Sequence, residues 1–265
     1  MKSSKIYKHL LNIDGFVLFL LPLLSAAIVF LCRINFFESI LLFLGLPALY
    51  LSVRAPRYAA KTFVFSFISA VPLMIILEYV GGLSFAWGFP PSVFSYHILG
   101  RVNLEVVLWA FLNIYSVVIF YEYIFERHHK VPIWNKRMWT LVRYLLIWII
   151  LFGLLYSVYG GNIAIPYFYF LFGCAVFIFP VFMTWLKYPR ILHKILYVLL
   201  YFSYLSFVYE ILALKNGWWF FPGSQFIGYI TVLGVTFPIE EFIFWIILFA
   251  PAVVGAFEYL DDDRR

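Results

Sequence analysis

The sequence predicts an all-α integral membrane protein of about eight transmembrane helices, arranged as two parallel four-helix repeats. Three observations lead there. Of the residues, 65% are apolar, 23% aromatic and only 12% charged, with a mean hydropathy of +0.96, whereas soluble domains run nearer half apolar and a quarter charged. Apolar runs long enough to cross a bilayer follow one another along almost the whole chain of 265 residues, leaving no room for a soluble domain. The second half also repeats residues of the first at a nearly constant spacing, the mark of an internally duplicated architecture.

In chain order, hydropathy places spans at about residues 15–32, 36–53, 62–80, 103–125, 141–158, 165–186, 192–214 and 236–257. The basic opening "MKSSKIYKHLLNIDGF" leads into an apolar run with no small-residue cleavage site, so that run is expected to persist as the first span. The basic residues test the count. Lys2, Lys5, Lys8, Arg54, Arg57, Lys61, Arg127, Lys130, Lys136, Arg137, Arg143, Lys187, Arg190, Lys194, Arg264 and Arg265 gather on one face, 16 of the 19. Only Arg33, Arg101 and Lys215 fall on the other. The positive-inside rule makes the richer face cytoplasmic, so both termini of a multi-pass plasma-membrane protein are expected there. The net charge of +6 then reflects this bias and attraction to anionic lipid head groups, without a nucleic-acid partner. Cys32 and Cys174 lie in apolar runs with neither a CxxC partner nor a neighbouring His, which argues against disulfide or metal roles.

The repeat is explicit. "RAPRYAAK" at 54–61 lies over "KYPRILHK" at 187–194, with Pro47 over Pro180 at the same offset of 133. "EYVGGLSFAWGFPPS" at 78–92 lies over "EILALKNGWWFFPGS" at 210–224, matching Glu78 to Glu210, Trp87 to Trp219, Phe89-Pro90 to Phe221-Pro222 and Ser92 to Ser224. After a three-residue slip, "NLEVVLW" at 103–109 lies over "PIEEFIFW" at 238–245, matching Glu105 to Glu240. The chain therefore divides into residues 1–130 and 131–265. An even number of crossings per unit gives both the same orientation about an axis along the membrane normal.

Glu78, Glu210, Glu105, Glu240 and Glu241 all fall at the non-cytoplasmic ends of their spans, where a bilayer does not tolerate charge without a reason. The helix macrodipole accounts for Glu105 and Glu240 at helix starts. It does not account for Glu241, because adjacent helical residues diverge by about 100° and one of the pair must face the bundle or the lipid. Carboxyl groups clustered in a low dielectric do not all ionise, and one that keeps its proton can act as an acid. The accompanying Trp, Phe, Pro and Tyr fit either an interfacial aromatic belt or an aromatic-walled pocket that stabilises a cation. His97 is expected to hydrogen-bond within its loop, and His128 and His129 to be solvated. Glu122 and Glu258 are expected to pair with nearby basic residues, Asn113 to be a polar packing contact and Pro251 a kink.

The run Pro238-Ile239-Glu240-Glu241 with Phe244-Trp245, after Trp219, Phe221 and Pro222, resembles the helix start P-[LI]-E-E-x-x-F-[FW] of the integral-membrane lycopene cyclase domain family. That family comprises heterodimer-type bacterial and archaeal enzymes and the cyclase half of fungal bifunctional carotenoid enzymes. In the first half Trp87, Phe89, Pro90 and Glu105 match, while Asn103 replaces the proline and Val106 the second glutamate. The resemblance covers nearly the whole chain as two repeats. It implies a carotenoid cyclase that forms β-ionone rings at the ends of lycopene without net redox change: an acid protonates a terminal double bond, the cation closes a ring, and a base removes a proton. Implied catalytic residues are Glu240, Glu241, Glu105, Glu78 and Glu210; implied substrate-binding residues are Trp87, Phe89, Trp219, Phe221, Phe244 and Trp245. No Gly-rich dinucleotide fingerprint and no DxxxD-type magnesium site occur, so no cofactor is expected. The expected partners are membrane lipid and a lipophilic polyene entering from the bilayer. A proton-coupled transporter, a carotenoid hydratase and a non-catalytic carotenoid-binding subunit are the alternatives.

The topology is open to a direct check. A reporter active only outside the cytoplasm, fused after Arg265, is expected to stay silent; activity there would overturn the assignment of the basic face.

Overall fold

A computed structural model of the protein describes residues 2–126 and 132–260, with side chains from Ile13 onward. Arg127, His128, His129, Lys130, Arg264, Arg265 and the expected boundary after residue 130 lie outside the described residues, as do the side chains of Lys2, Lys5 and Lys8.

Among the described residues, eight helices are long and apolar enough to cross a membrane, and the chain is a multi-pass membrane protein. They are α1 (Lys2–Leu31, apolar over Ile13–Leu31), α2 (Phe36–Arg54), α3 (Pro56–Leu83), α4 (Leu104–Phe125), α5 (Met138–Val158), α6 (Phe168–Lys187), α7 (Pro189–Asn216) and α8 (Glu241–Leu260). In α2 the start is fixed by a capping box, in which Asn35 and Glu38 exchange side-chain and backbone hydrogen bonds of 2.8 and 2.9 Å.

Local chemistry is repeated at the positions matched in the sequence. A π turn interrupts α2 at Leu41–Gly45 and α6 at Cys174–Ile178, 133 residues apart, each followed by a proline, Pro47 and Pro180. A residue before proline is driven out of the helical region. That is why the single residues Ala55 (φ −134°, ψ 53°) and Tyr188 (φ −132°, ψ 53°) suffice to end α2 and α6 and turn the chain into α3 and α7.

The halves interlock. Helix α1 packs on α7 of the other half, and α5 packs on α3, while α4 and α8 meet at the centre. Both central spans are 67% buried, against 28% for α1 and 6% for α5, so the first helix of each half forms the lipid-facing flank.

Several boundaries differ from hydropathy. The eighth helix begins at Glu241 rather than near 236, because Val235–Pro238 pair with Tyr229–Val232 as a hairpin. Helices α3 and α7 are longer than expected, and α3 takes in Lys61, which lay outside its expected limits. A polar side chain that finds its partner inside the bundle does not end a helix.

At the basic end, Lys61 pairs with Glu122 at 2.9 Å, both within 5% exposure, and Lys194 pairs with Glu126 at 2.5 Å. Tyr121 donates to Glu258. Asp14 on α1 accepts a two-pronged pairing from Arg54, with both N to O distances 3.0 Å, together with the hydroxyls of Tyr50 and Tyr123. Removing one member of a buried pair leaves the other charge uncompensated, at about 3–5 kcal/mol. Lys61→Met is therefore expected to lower stability by that order in detergent thermal unfolding, and adding Glu122→Leu is expected to recover at least half.

Candidate active site

At the opposite end of the bundle, the α3–α4 and α7–α8 connections fold in the same way. Each leaves its helix, carries a Trp and a Phe-Pro pair, and returns through a small antiparallel hairpin. These are β1 (His97–Ile98) with β2 (Val102–Asn103), and β3 (Tyr229–Val232) with β4 (Val235–Pro238). Both hairpins reverse at a Leu-Gly pair with positive φ, Leu99-Gly100 and Leu233-Gly234. Two consecutive positive-φ residues match the right-handed twist of the strands they join.

The two connections meet in a single antiparallel bridge. Gly88 N–H donates to Phe220 O at 2.8 Å, and Phe220 N–H donates to Gly88 O at 3.0 Å. These residues are 132 apart, the offset at which the Trp loops align, so each position contacts its own counterpart, as in an isologous interface. A Cβ at Gly88 would lie 2.8 Å from the Phe220 ring, so glycine lets that ring lie directly over the bridge.

Each connection is held by two carboxyl groups. Trp87 Nε1 donates to Glu78 at 2.7 Å and Trp219 Nε1 to Glu210 at 3.0 Å, all four residues buried. Ser92 Oγ and Val93 N–H donate to Glu105 at 2.6 and 2.7 Å, while Ile227 N–H donates to Glu240 at 2.6 Å. The aligned glutamates at the starts of α4 and α8 thus clamp the preceding loop. Glu105 borders a separate cavity of about 240 Å³ with Asn35, Pro91 and Trp218, which neither Glu210 nor Glu241 lines. A carboxylate at a helix start bonds the nearest free N–H groups, and those belong to its own loop.

Glu241 has different surroundings. It accepts a hydrogen bond from Tyr169 of α6 and lines a cavity of about 20 Å³ with Glu210, Asn113, Trp109 and Trp245. The Glu210 and Glu241 carboxyl groups border this one small cavity together. A carboxylate only accepts, so two facing carboxyls bond each other only when one carries a proton. Of the five glutamates, Glu241 alone borders a second cavity of about 30 Å³, walled by Trp87, Phe89, Trp109, Trp219, Phe221 and Trp245.

The first half supplies an internal comparison. Phe36 stacks on Phe89 at 5.3 Å and meets Trp219 edge-on at 5.8 Å, while Tyr169, 133 residues later, stacks on Phe221 at 6.4 Å and meets Trp87 edge-on at 5.2 Å. The ring positions are equivalent, yet only Tyr169 has a hydroxyl, and its acceptor Glu241 stands where the first half has Val106. Donor and acceptor are present together in one half and absent together in the other. The geometry behind the extra acid is a π-helical stretch, Glu241–Leu248. Glu105 and Glu240 are 135 apart but Trp109 and Trp245 are 136 apart, so α8 holds one more residue than α4 between these points, the count that a π turn absorbs.

Of the sequence candidates, the structure therefore gathers Glu210, Glu241, Trp87, Phe89, Trp219, Phe221 and Trp245, and leaves Glu78, Glu105 and Glu240 as loop anchors. Phe244 points elsewhere, packing near Tyr169 and Phe177. His97 sits in β1 opposite Asn103, and Asn113 Nδ2 donates to Trp109 O at 3.0 Å. Sequence reasoning missed Tyr169 and Trp109. The Phe36 and Tyr169 difference at offset 133 was the available signal for the first, and the shared final Trp of "NLEVVLW" and "PIEEFIFW" for the second. Trp109 Nε1 and Glu240 Oε2 are buried without a hydrogen-bond partner among the described residues. Also among the described residues, no group of three or more His, Cys, Asp or Glu could hold a metal ion.

The adjacent glycines of "VGGL" test how tightly the Trp87 wall is set. A Cβ at Gly81 would lie 2.3 Å from the Trp87 ring, whereas one at Gly82 would meet nothing within 4 Å. Gly81→Ala is expected to destabilise by about 1–3 kcal/mol through overpacking and to shift Trp fluorescence. Gly82→Ala, in the same helix, is expected to be neutral or to stabilise by up to about 1 kcal/mol. Equal unfolding of the two variants would contradict the placement of Trp87.

Comparison with protein-family models, with curated proteins and with solved structures found no match for this chain.

Proposed function

We propose that the protein is a membrane-embedded carotenoid cyclase that closes rings at the ends of a linear polyene of the lycopene type. The observation that supports this most is the Glu210 and Glu241 pair, met by Trp219 and Tyr169, of which Glu241 borders a box of six aromatic rings. Acid, base and cation stabiliser are the parts that a redox-neutral cyclisation needs, and these residues can supply all three.

Glu241 borders the aromatic box and is the acid. Its proton adds to the terminal double bond, leaving a tertiary cation; electrons of a double bond further along the chain form the new ring bond and move the cation into the ring. Aromatic faces stabilise that charge without reacting with it. A carboxylate of the pair then removes a proton from the ring carbon next to the cation, restoring a double bond. The proton gained equals the proton lost, so product and substrate are isomers. Tyr169 donates to Glu241, on which negative charge develops as the proton leaves, a preorganised stabilisation of the kind that dominates many active sites, while Trp219 holds the neighbouring Glu210. Glu210 lines the same small cavity as Glu241, so a proton can pass back between them to reset the pair.

Expression in cells that accumulate lycopene, followed by pigment chromatography, is expected to yield ringed products. Glu241→Gln keeps size and polarity but removes the transferable proton, and is expected to lower cyclisation by about 100-fold or more. Tyr169→Phe reproduces the first-half ring and is expected to cost less, about tenfold, whereas Glu105→Gln is expected to act on loop stability and leave the rate within a few-fold. Native-rate cyclisation by Glu241→Gln at normal protein level would remove the acid from this mechanism.

A further inference from the structure

Beside the aromatic box lies a cavity of about 340 Å³ bounded by α3, α4, α5, α6 and α8. Its lining is almost wholly apolar, and the hydroxyl of Ser69, one of the few polar side chains on it, is spent on Phe65 O of its own helix at 2.7 Å. The cavity is elongated. Trp245 lies at the box end and Tyr259 at the basic end of α8, 14 residues later, which corresponds to about 21 Å of helix.

Close packing is the rule in protein interiors, and an empty apolar space destabilises because its walls lose their contacts. Here the space is kept by alanines on four helices, Ala70, Ala110, Ala175, Ala252 and Ala256, in a chain otherwise rich in large rings. One side opens to the lipid: Tyr144 is 48% exposed, Phe179 60% and Tyr259 43%. Met74 and Trp245 border both this cavity and the box that contains Glu241, and form the partition between them.

We propose that this cavity is the binding site for the chain of the substrate, a rod-like apolar hydrocarbon that enters from the bilayer between α5 and the α6 and α8 pair, end first, with its reacting end at Glu241; this rests on Glu241 being the acid proposed above. The box of about 30 Å³ is too small for a ring as it stands, so the end group enters as Met74 and Trp245 give way. A cavity that adjoins one acid pair processes one end per visit. A substrate with two reactive ends must leave, turn and return, so a one-ringed product is released before the two-ringed one.

Pigment retention tests binding separately from cyclisation. The Glu241→Gln protein, purified in mild detergent from lycopene-accumulating cells, is expected to carry lycopene. Adding Ala252→Trp or Ala175→Trp, which place an indole in the cavity, is expected to reduce retained pigment at least fivefold. Ala27→Trp, on the exposed face of α1, serves as the control and is expected to change nothing. Size-exclusion profiles identify any variant that misfolds. In the otherwise native chain, Ala256→Trp at the far end is expected to retain cyclisation of a shortened polyene while losing at least tenfold on the full-length one, a selectivity that unfolding cannot produce. Absence of pigment in Glu241→Gln, unchanged retention in both double variants, or equal losses on short and long polyenes would each overturn the assignment. Native-rate cyclisation by Glu241→Gln would instead overturn the acid while leaving the chain site to be judged on retention.

Discussion

A carboxyl group out of reach of water is stable only where hydrogen-bond donors meet its oxygens, and the glutamate end of this bundle is organised by that requirement. Glu78 and Glu210 are met by indole N–H groups, so Trp87 and Trp219 are drawn back over the helices that precede them. Glu105 and Glu240 are met by backbone N–H groups, so each connection is fastened again at its far side. With both ends of both connections held, their middles come together at Gly88 and Phe220. The aromatic box is what this fastening leaves at the centre, and its rings are set by the carboxyls.

The same chemistry gives two outcomes because the halves differ at three linked places. The first half has Phe36 and Val106 where the second has Tyr169 and Glu241, and α8 holds a residue that α4 lacks. An extra residue in a regular helix would rotate everything beyond it by about 100°. The π turn absorbs it, so Glu241 faces inward while Glu240 keeps its loop contact and Glu258, a turn from the other end, still reaches Tyr121. Pro251 falls just after the π-helical stretch, at the third residue of the α-helical part that follows.

Much of this was legible beforehand. Span number and approximate limits follow from hydropathy, because lipid imposes length and apolarity on every crossing. The matched Glu78 with Glu210 and Trp87 with Trp219 were visible as aligned letters, and within each half the Trp and the Glu turned out to be joined by one hydrogen bond. What could not be read was direction. Glu105 and Glu240 look like Glu241 in a sequence, and only the position of nearby N–H groups separates an anchored carboxyl from one aimed at a cavity. The hairpins were hidden for a similar reason: Leu99 and Leu233 hold positive φ, which leucine rarely adopts and no composition rule anticipates. The large cavity is spelled only by scattered alanines on different helices.

The Gly88 and Phe220 bridge is the type of contact through which two separate copies of a protein would associate. Between separate molecules it would form in proportion to their concentration, and any substitution would appear on both sides at once. Within one chain, the partner is always present at a high effective concentration, so association no longer constrains the two surfaces to be alike. One side is then free to drift as long as the other keeps its chemistry, and a symmetric scaffold can come to hold a single polar pair off its axis.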